Sequence, residues 1–174
     1  MTYTSLRILP LLWRQLRLAV LLVIISGGLL AQPAPNFSFT DPETGRSHTL
    51  SDFRGEVVYL DFWASWCGPC RQSFPFMNEL HARYKDQGLR ILAVNVDETQ
   101  ADAQRFLDRF PADFQIVYDH KASLPPLYGV EGMPTAYYID HHGQIQYEKI
   151  GFRLGERAAT EQRLIEMMQA AGTY

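Results

Sequence analysis

Cysteine is nearly absent from this 174-residue chain, which has two, Cys67 and Cys70, separated only by Gly68 and Pro69. So small a number excludes a scaffold stapled by several disulfides and leaves a four-coordinate zinc site two ligands short. The five histidines (His48, His81, His120, His141, His142) stand at no metal-ligand spacing to one another, so no metal is expected. His141 and His142 read as polar turn residues. Acidic residues are missing from residues 1–31, which hold Arg7, Arg14 and Arg17; the remainder therefore carries 13 basic against 19 acidic residues, a formal charge of −6. A body of that sign lacks the basic footprint that phosphate backbones require, which excludes nucleic acid as a partner. Internal repeats and low-complexity stretches are absent too. What is present, 47% apolar and 20% charged residues, is the composition of a globular domain with a packed core.

The longest apolar run, Leu18–Ala31, is broken by Ser26, Gly27 and Gly28. At fourteen residues it is short for a membrane span and of the right length for the apolar part of a secretory signal. Arginines precede it, as in such signals, and residues 1–31 are read as a signal peptide or an N-terminal membrane anchor. Leu29 is larger than the residue expected two places before a cleavage point at Ala31, so both alternatives stand. Export makes a disulfide chemically permissible. Yet a bridge across two residues restricts the unfolded chain little and is a poor staple. A short, easily opened bridge is useful when the bond itself is the reagent.

Beyond the stiff Pro33-Ala34-Pro35 lead-in, Asn36–Thr40 alternates Phe37 and Phe39 with polar neighbours as a strand does, and Ser47–Leu50 returns as its partner. Val57–Trp63 is an apolar run of strand length with one acid inside, expected to be covered on both faces. A helix is predicted from about Cys67 to Arg83, with Phe74, Met77, Leu80 and Tyr84 inward and a kink at Pro75. Leu89–Val96 is a second buried strand, Gln100–Phe110 a helix, Phe114–Tyr118 a third strand and Leu124–Tyr128 a single turn. Thr135–Ile139 is a fourth strand, joined through His141-His142-Gly143 to Ile145–Ile150 as a hairpin. Glu156–Ala171 closes the chain as a helix with Ala159, Leu164, Ile165 and Met168 inward. This order makes residues 35–174 one α/β domain, a central mixed β-sheet flanked by helices, with an N-terminal β-hairpin and a helix–strand insertion.

A strand ending at Trp63 and a helix opening near Cys67 place the first thiol at a helix N-terminus, where free amides and the helix dipole stabilise a thiolate. A lowered pKa makes Cys67 the attacking sulfur. Cys70, one turn on, is within bridging reach and is suited to attack the resulting mixed disulfide. Pro69 fits the first helical turn, which needs no amide hydrogen there. Asp61, buried in an otherwise apolar strand, should have a raised pKa and is assigned as the base that deprotonates Cys70. Pro134 cannot pair within a sheet, so it belongs at the start of its strand or at a bulge, and proline is the residue for which a cis bond is cheap. Tyr59, Phe62 and Trp63 are expected in the core.

The segment Asp61-Phe62-Trp63-Ala64-Ser65-Trp66-Cys67-Gly68-Pro69-Cys70 resembles the active-site segment of the thioredoxin superfamily, and Gly132-Met133-Pro134-Thr135 resembles its cis-proline loop. The leading Phe37–Leu50 hairpin and the Glu98–Leu127 stretch resemble the TlpA/ResA-like periplasmic branch. That resemblance implies a thioredoxin-like fold, a nucleophile at Cys67, a resolving thiol at Cys70 and no cofactor beyond the redox-active disulfide. It places the Gly68-Pro69 active-site loop beside a substrate groove formed by Trp66, Met133, Pro134 and Thr135. The partners it implies are disulfide-containing proteins and a membrane thiol-reductant carrier, on the periplasmic side. Contact with the membrane would run only through residues 1–31, if these are uncleaved. Gly-Pro between the cysteines resembles reducing members; a disulfide-forming oxidant and a non-catalytic binding domain are the alternatives. Ser73 stands where cytochrome-maturing members carry an acid, and Thr135 where others have one after the proline. A peroxiredoxin would need Thr or Ser at Ala64 and Pro at Leu60.

Overall fold

The computed structural model describes residues 32–174; the expected signal or anchor at residues 1–31 lies outside the described residues. The strands are β1 (Gln32–Pro33), β2 (Ser38–Thr40), β3 (Ser47–Thr49), β4 (Val57–Trp63), β5 (Leu89–Asn95), β6 (Gln115–Tyr118), β7 (Thr135–Ile139) and β8 (Gln144–Ile150). The α-helices are α1 (Cys70–Tyr84), α2 (Gln100–Leu107), α3 (Leu124–Tyr128) and α4 (Arg157–Ala171). Six strands form one mixed sheet in the order β1-β8-β7-β4-β5-β6, and β2 and β3 pair as a separate hairpin. β4, β5 and β6 run parallel, while β7 and β8 return antiparallel. The predicted hairpin and helix–strand insertion are both present, and the insertion's strand, β6, becomes the sheet's edge beside β5. Among the described residues no helix is long and apolar enough to cross a membrane.

β4 is buried along its whole length because both of its faces are covered. Its odd-numbered side chains Val57, Tyr59 and Trp63 pack with Phe74, Met77 and Leu80 of α1, Phe106 of α2 and Leu164 and Met168 of α4. Its even-numbered Val58, Leu60 and Phe62 pack on the other face with Phe37, Phe39 and Leu50 of the hairpin region and with Leu124 and Tyr128 of α3. The sheet thus has two cores, and strand alternation decides which side each residue of β4 serves. Trp63 stacks edge-on against Phe74 at 4.8 Å and lies 4.9 Å from Phe106, which ties β4 to the start of α1 and to α2.

Several boundaries differ from expectation. α4 begins at Arg157 and buries Thr160, Leu164, Met167 and Met168, while Ala159 is exposed and Ile165 only half-buried. Ala159 lies five residues before Leu164, about 140° around a helix of 3.6 residues per turn, and so falls off the face that Leu164 and Met168 define. α2 stops at Leu107 instead of Phe110. α3 is helical because Pro125 and Pro126 occupy its first positions, where no amide is required, and Gly129 ends it at φ 71°. In the β7–β8 turn the Asp140 carboxylate accepts from the His142 and Gln144 amides. Gly143 takes φ 77° there, a conformation that favours glycine, and a Cβ would also have to displace the end of the Arg54 side chain.

Candidate active site

The sheet register assembles the site. Trp63 of β4 lies opposite Asn95 of β5, so these parallel strands end side by side. β7 enters antiparallel with Thr135 opposite Phe62, which brings the Gly132–Thr135 loop to the same end. Three segments distant in sequence therefore meet beyond the carboxyl ends of parallel strands, where open α/β sheets commonly carry their sites.

Cys67 and Cys70 are joined as a disulfide with Cα atoms 5.4 Å apart, and both are buried. α1 opens at Cys70 and not at Cys67, with Pro69 in the position before it. The physical reason is proline: it disfavours helical geometry in Gly68 before it and has no amide to donate. Cys67 consequently stands ahead of the first turn, and the Cys70 amide donates to Cys67 Sγ at 3.2 Å. The amides of that turn favour negative charge on the sulfur they face. Gly68 and Pro69 are exposed, and Trp66 beside the buried sulfur is 68% exposed, the most exposed large apolar side chain among the described residues.

Asp61 is 1% exposed. Alternation along β4 points it to the face shared by Tyr59, Trp63, Cys67, Cys70 and Phe74. Ala93 of β5 and Ala136 of β7, both with small side chains, flank it in register. Among the described residues its Oδ2 has no hydrogen-bond partner and no cation pairs with it. Burial alone pushes its pKa well above the ordinary carboxylate range.

The Met133–Pro134 peptide bond is cis. Pro134 and Thr135 are buried; the Thr135 hydroxyl donates to the Gly132 carbonyl at 2.7 Å, and the Gly151 amide donates to the Pro134 carbonyl at 2.7 Å. Met133 packs against the cluster that contains both cysteines. Ser73, on the buried side of α1, donates to the Cys70 carbonyl at 3.1 Å. Among the described residues no cluster of three or more His, Cys, Asp or Glu could hold a metal.

A polar hub that sequence reasoning does not single out is centred on buried Asp97. Its carboxyl accepts from the Ser65 amide and the Ser65 hydroxyl, both at 2.9 Å, and from Asn95 Nδ2 at 2.7 Å. Its carbonyl meets His120 Nδ1 at 2.9 Å. Asp97 thus fastens the segment leading into Trp66 and Cys67 to the end of β5. The one trace of it in the sequence is that an apolar strand ends in Asn95 and Asp97; what they hold depends on the parallel register that sets Asn95 opposite Trp63. Asp97→Ala should lose about 1–3 kcal/mol of unfolding free energy, because the buried Asn95 amide and the half-buried Ser65 amide and hydroxyl would lose their acceptor. The shift of the urea midpoint measures this, and a loss well under about 1 kcal/mol would show that the hub is not needed to hold the loop.

Comparison with known proteins accords with this geometry. The Redoxin family model matches residues 30–164. The thiol-disulfide oxidoreductase ResA of Geobacillus thermodenitrificans is 44% identical over 113 residues, 65% of this chain and 64% of that one. The chain thus matches just under two thirds of that relative's length. ResA of Bacillus thuringiensis subsp. konkukian is 37% identical over 128 residues, 74% of this chain and 73% of its own. A crystal structure from Chlorobium tepidum, provisionally assigned as the thiol:disulfide interchange protein DsbE, has 47% identity and a TM-score of 0.75, covering 79% of this chain and 96% of that one. The chain belongs to the Redoxin family, in the ResA/TlpA-like branch of the thioredoxin superfamily.

Proposed function

We propose that this Redoxin-family chain is an exported thiol–disulfide oxidoreductase that reduces disulfides in other proteins. The observation that carries the reading is the Cys67–Cys70 disulfide at the mouth of α1, with the Cys70 amide directed at Cys67 Sγ. In the reduced enzyme the Cys67 thiolate attacks one sulfur of a substrate disulfide. That S–S bond breaks, one substrate sulfur leaves as a thiolate and takes a proton, and Cys67 is left in a mixed disulfide. Cys70 then gives its proton to the Asp61 carboxylate and attacks Cys67 Sγ, expelling the second substrate thiolate, which is protonated in turn as Asp61 returns to its carboxylate. The substrate disulfide gains two electrons and two protons; the two cysteines lose them. A dithiol carrier at the membrane returns them.

Trp66 and Met133 form the surface on which the substrate chain lies, next to the exposed Gly68-Pro69 loop; Pro134 and Thr135, expected to line it too, are buried beneath it, the Thr135 hydroxyl being bonded to the Gly132 carbonyl. ResA and DsbE relatives, named for thiol–disulfide oxidoreduction and interchange, support this reading. Residues 1–31, with arginines before an apolar run, act as a secretory signal or as an anchor that keeps the domain at the inner membrane, facing the periplasm.

The test is the reduction potential of the Cys67–Cys70 couple, equilibrated against glutathione or dithiothreitol redox buffers. A value near about −270 mV, that of thioredoxin, is expected for an electron donor; one near about −120 mV, that of the strongest disulfide-forming oxidants, would reverse the direction. Absence of any turnover of insulin or a dithiol reagent would instead favour a binding domain without redox chemistry.

A further inference from the structure

The body of this protein is acidic, yet arginine is concentrated beside the cysteine pair. Arg71, which directly follows Cys70, shares one recess of about 270 Å³ with Arg105 and Arg109. Its apolar lining comes from Phe106 and the half-buried Phe110, and its edge nearest the cysteines from Ser65, the residue that Asp97 holds two places before Cys67. Asp102, the one acid lining it, is paired with Arg105. Arg71 and Arg109 are exposed and, among the described residues, take part in no ion pair. Three guanidinium groups against one neutralised acid are a local reversal of a domain in which acids outnumber bases 19 to 13.

The opposite flank of the same loop has the other sign. A larger recess next to Trp66 is lined by Asp97 and Glu98, with Lys121 and His120 as its basic members and with Asp102, which is paired with Arg105. The two recesses share Ser65 and Asp102, so charge changes sign across the segment that delivers Cys67. A chain docking at the cysteines meets guanidinium groups on the α1–α2 side and carboxylates on the side of Trp66.

We infer that the Arg71–Arg105–Arg109 recess is a docking subsite for an acidic segment of the disulfide-bearing protein substrate, an inference that rests on the oxidoreductase reading above. Guanidinium forks match carboxylates in paired hydrogen bonds, and among the described residues neither Arg71 nor Arg109 has an ion-pair partner. The phenylalanines beneath them suit a segment that mixes acids with apolar side chains. In a domain of net negative charge this patch also orients the encounter, turning an acidic partner so that its disulfide arrives at Cys67 and not at the carboxylate-lined side. The specificity this gives is for substrates with Asp or Glu close to the reacting cysteine.

The experiment compares two peptides of equal length, each with one intramolecular disulfide flanked by Glu or by Lys, as substrates of the reduced full chain. The glutamate peptide should be reduced with a kcat/KM about ten-fold above that of the lysine peptide, and about 0.5 M salt should collapse the ratio. In Arg109→Glu, and separately in Arg71→Glu, the ratio should fall to about one or invert; Arg109→Gln should give an intermediate value. Equal rates for both peptides on the unaltered protein, or a ratio untouched by these substitutions, overturns the subsite while leaving the oxidoreductase reading in place. If neither peptide is reduced, that reading fails, and binding of dye-labelled versions with serine for cysteine, followed by anisotropy, decides the subsite alone. Tighter binding of the glutamate peptide then sustains it, and equal binding ends it.

Discussion

Cys67→Ala will lower the rate of disulfide reduction by about a thousand-fold or more, leaving only what free solution thiols achieve. In the proposed cycle the Cys67 sulfur makes the first bond to substrate, and no other thiol is available to replace it, since Cys70 is the one remaining cysteine. Cys70 is fully buried, with its amide donating outward to Cys67, so it cannot serve as the entry nucleophile in place of its neighbour. The fold should survive, because a bridge spanning two residues contributes at most about 2 kcal/mol through loop entropy. Insulin turbidity with dithiothreitol reports the activity, and thermal unfolding reports the fold. Cys70→Ser separates the two chemical steps. Attack by Cys67 remains, resolution does not, and substrates should accumulate as mixed disulfides visible on non-reducing gels and released by dithiothreitol. A Cys67→Ala protein with near-normal turnover, or a Cys70→Ser protein that retains nothing, would contradict the order of attack and resolution.

Much of this can be read from the chain because local signals and tertiary packing agree. Val57–Trp63 is a continuous apolar run, and it is the strand with both faces covered. Phe74, Met77, Leu80 and Tyr84 recur at helical spacing, and all four are buried on α1. Periodicity sets the start of α1 three residues too early because it says nothing of where a proline lets the helix begin. On α4 it finds Leu164 and Met168 on the inward face but places Ala159 there in place of Thr160, a polar residue bonded to the Tyr138 hydroxyl. Site residues next to the cysteines in sequence are visible from spacing. Asp97 and the arginine recess are not, because both depend on parallel register and on the packing of α2 against the start of α1, which one-dimensional patterns do not carry. Asp61 lies between these cases: an acid inside an apolar strand marks itself, but only the alternation of β4 in the folded sheet puts it on the cysteine side.

Asp61→Asn will slow resolution of the mixed disulfide by about ten- to a hundred-fold, the range of a positioned proton acceptor, with little effect on the first attack. It will also make the protein more stable at neutral and alkaline pH, and the two effects share one cause. Burial without a partner for Oδ2 raises the Asp61 pKa well above its ordinary value near 3.8. The native state therefore holds a proton that the unfolded chain releases between that ordinary value and the raised one. Over that window the unfolded state binds fewer protons, so stability falls as pH rises, is fully present below about pH 4, and levels off once the native carboxyl has ionised. The asparagine side chain of the variant has no proton to lose, and its stability should be flat across the same window. Catalysis runs the other way: only the ionised carboxylate can accept the Cys70 proton, so the rate of resolution should climb with pH through the raised pKa and lose that limb in the variant. Urea unfolding from about pH 4 to 9 measures the first effect, and single-turnover release of a trapped substrate over the same range measures the second. A resolution rate that stays unchanged would remove Asp61 from the proton path while leaving its effect on stability intact. A variant whose stability profile keeps the wild-type slope would show that the carboxyl is hydrated in the folded protein, and both of its expected roles would go with it.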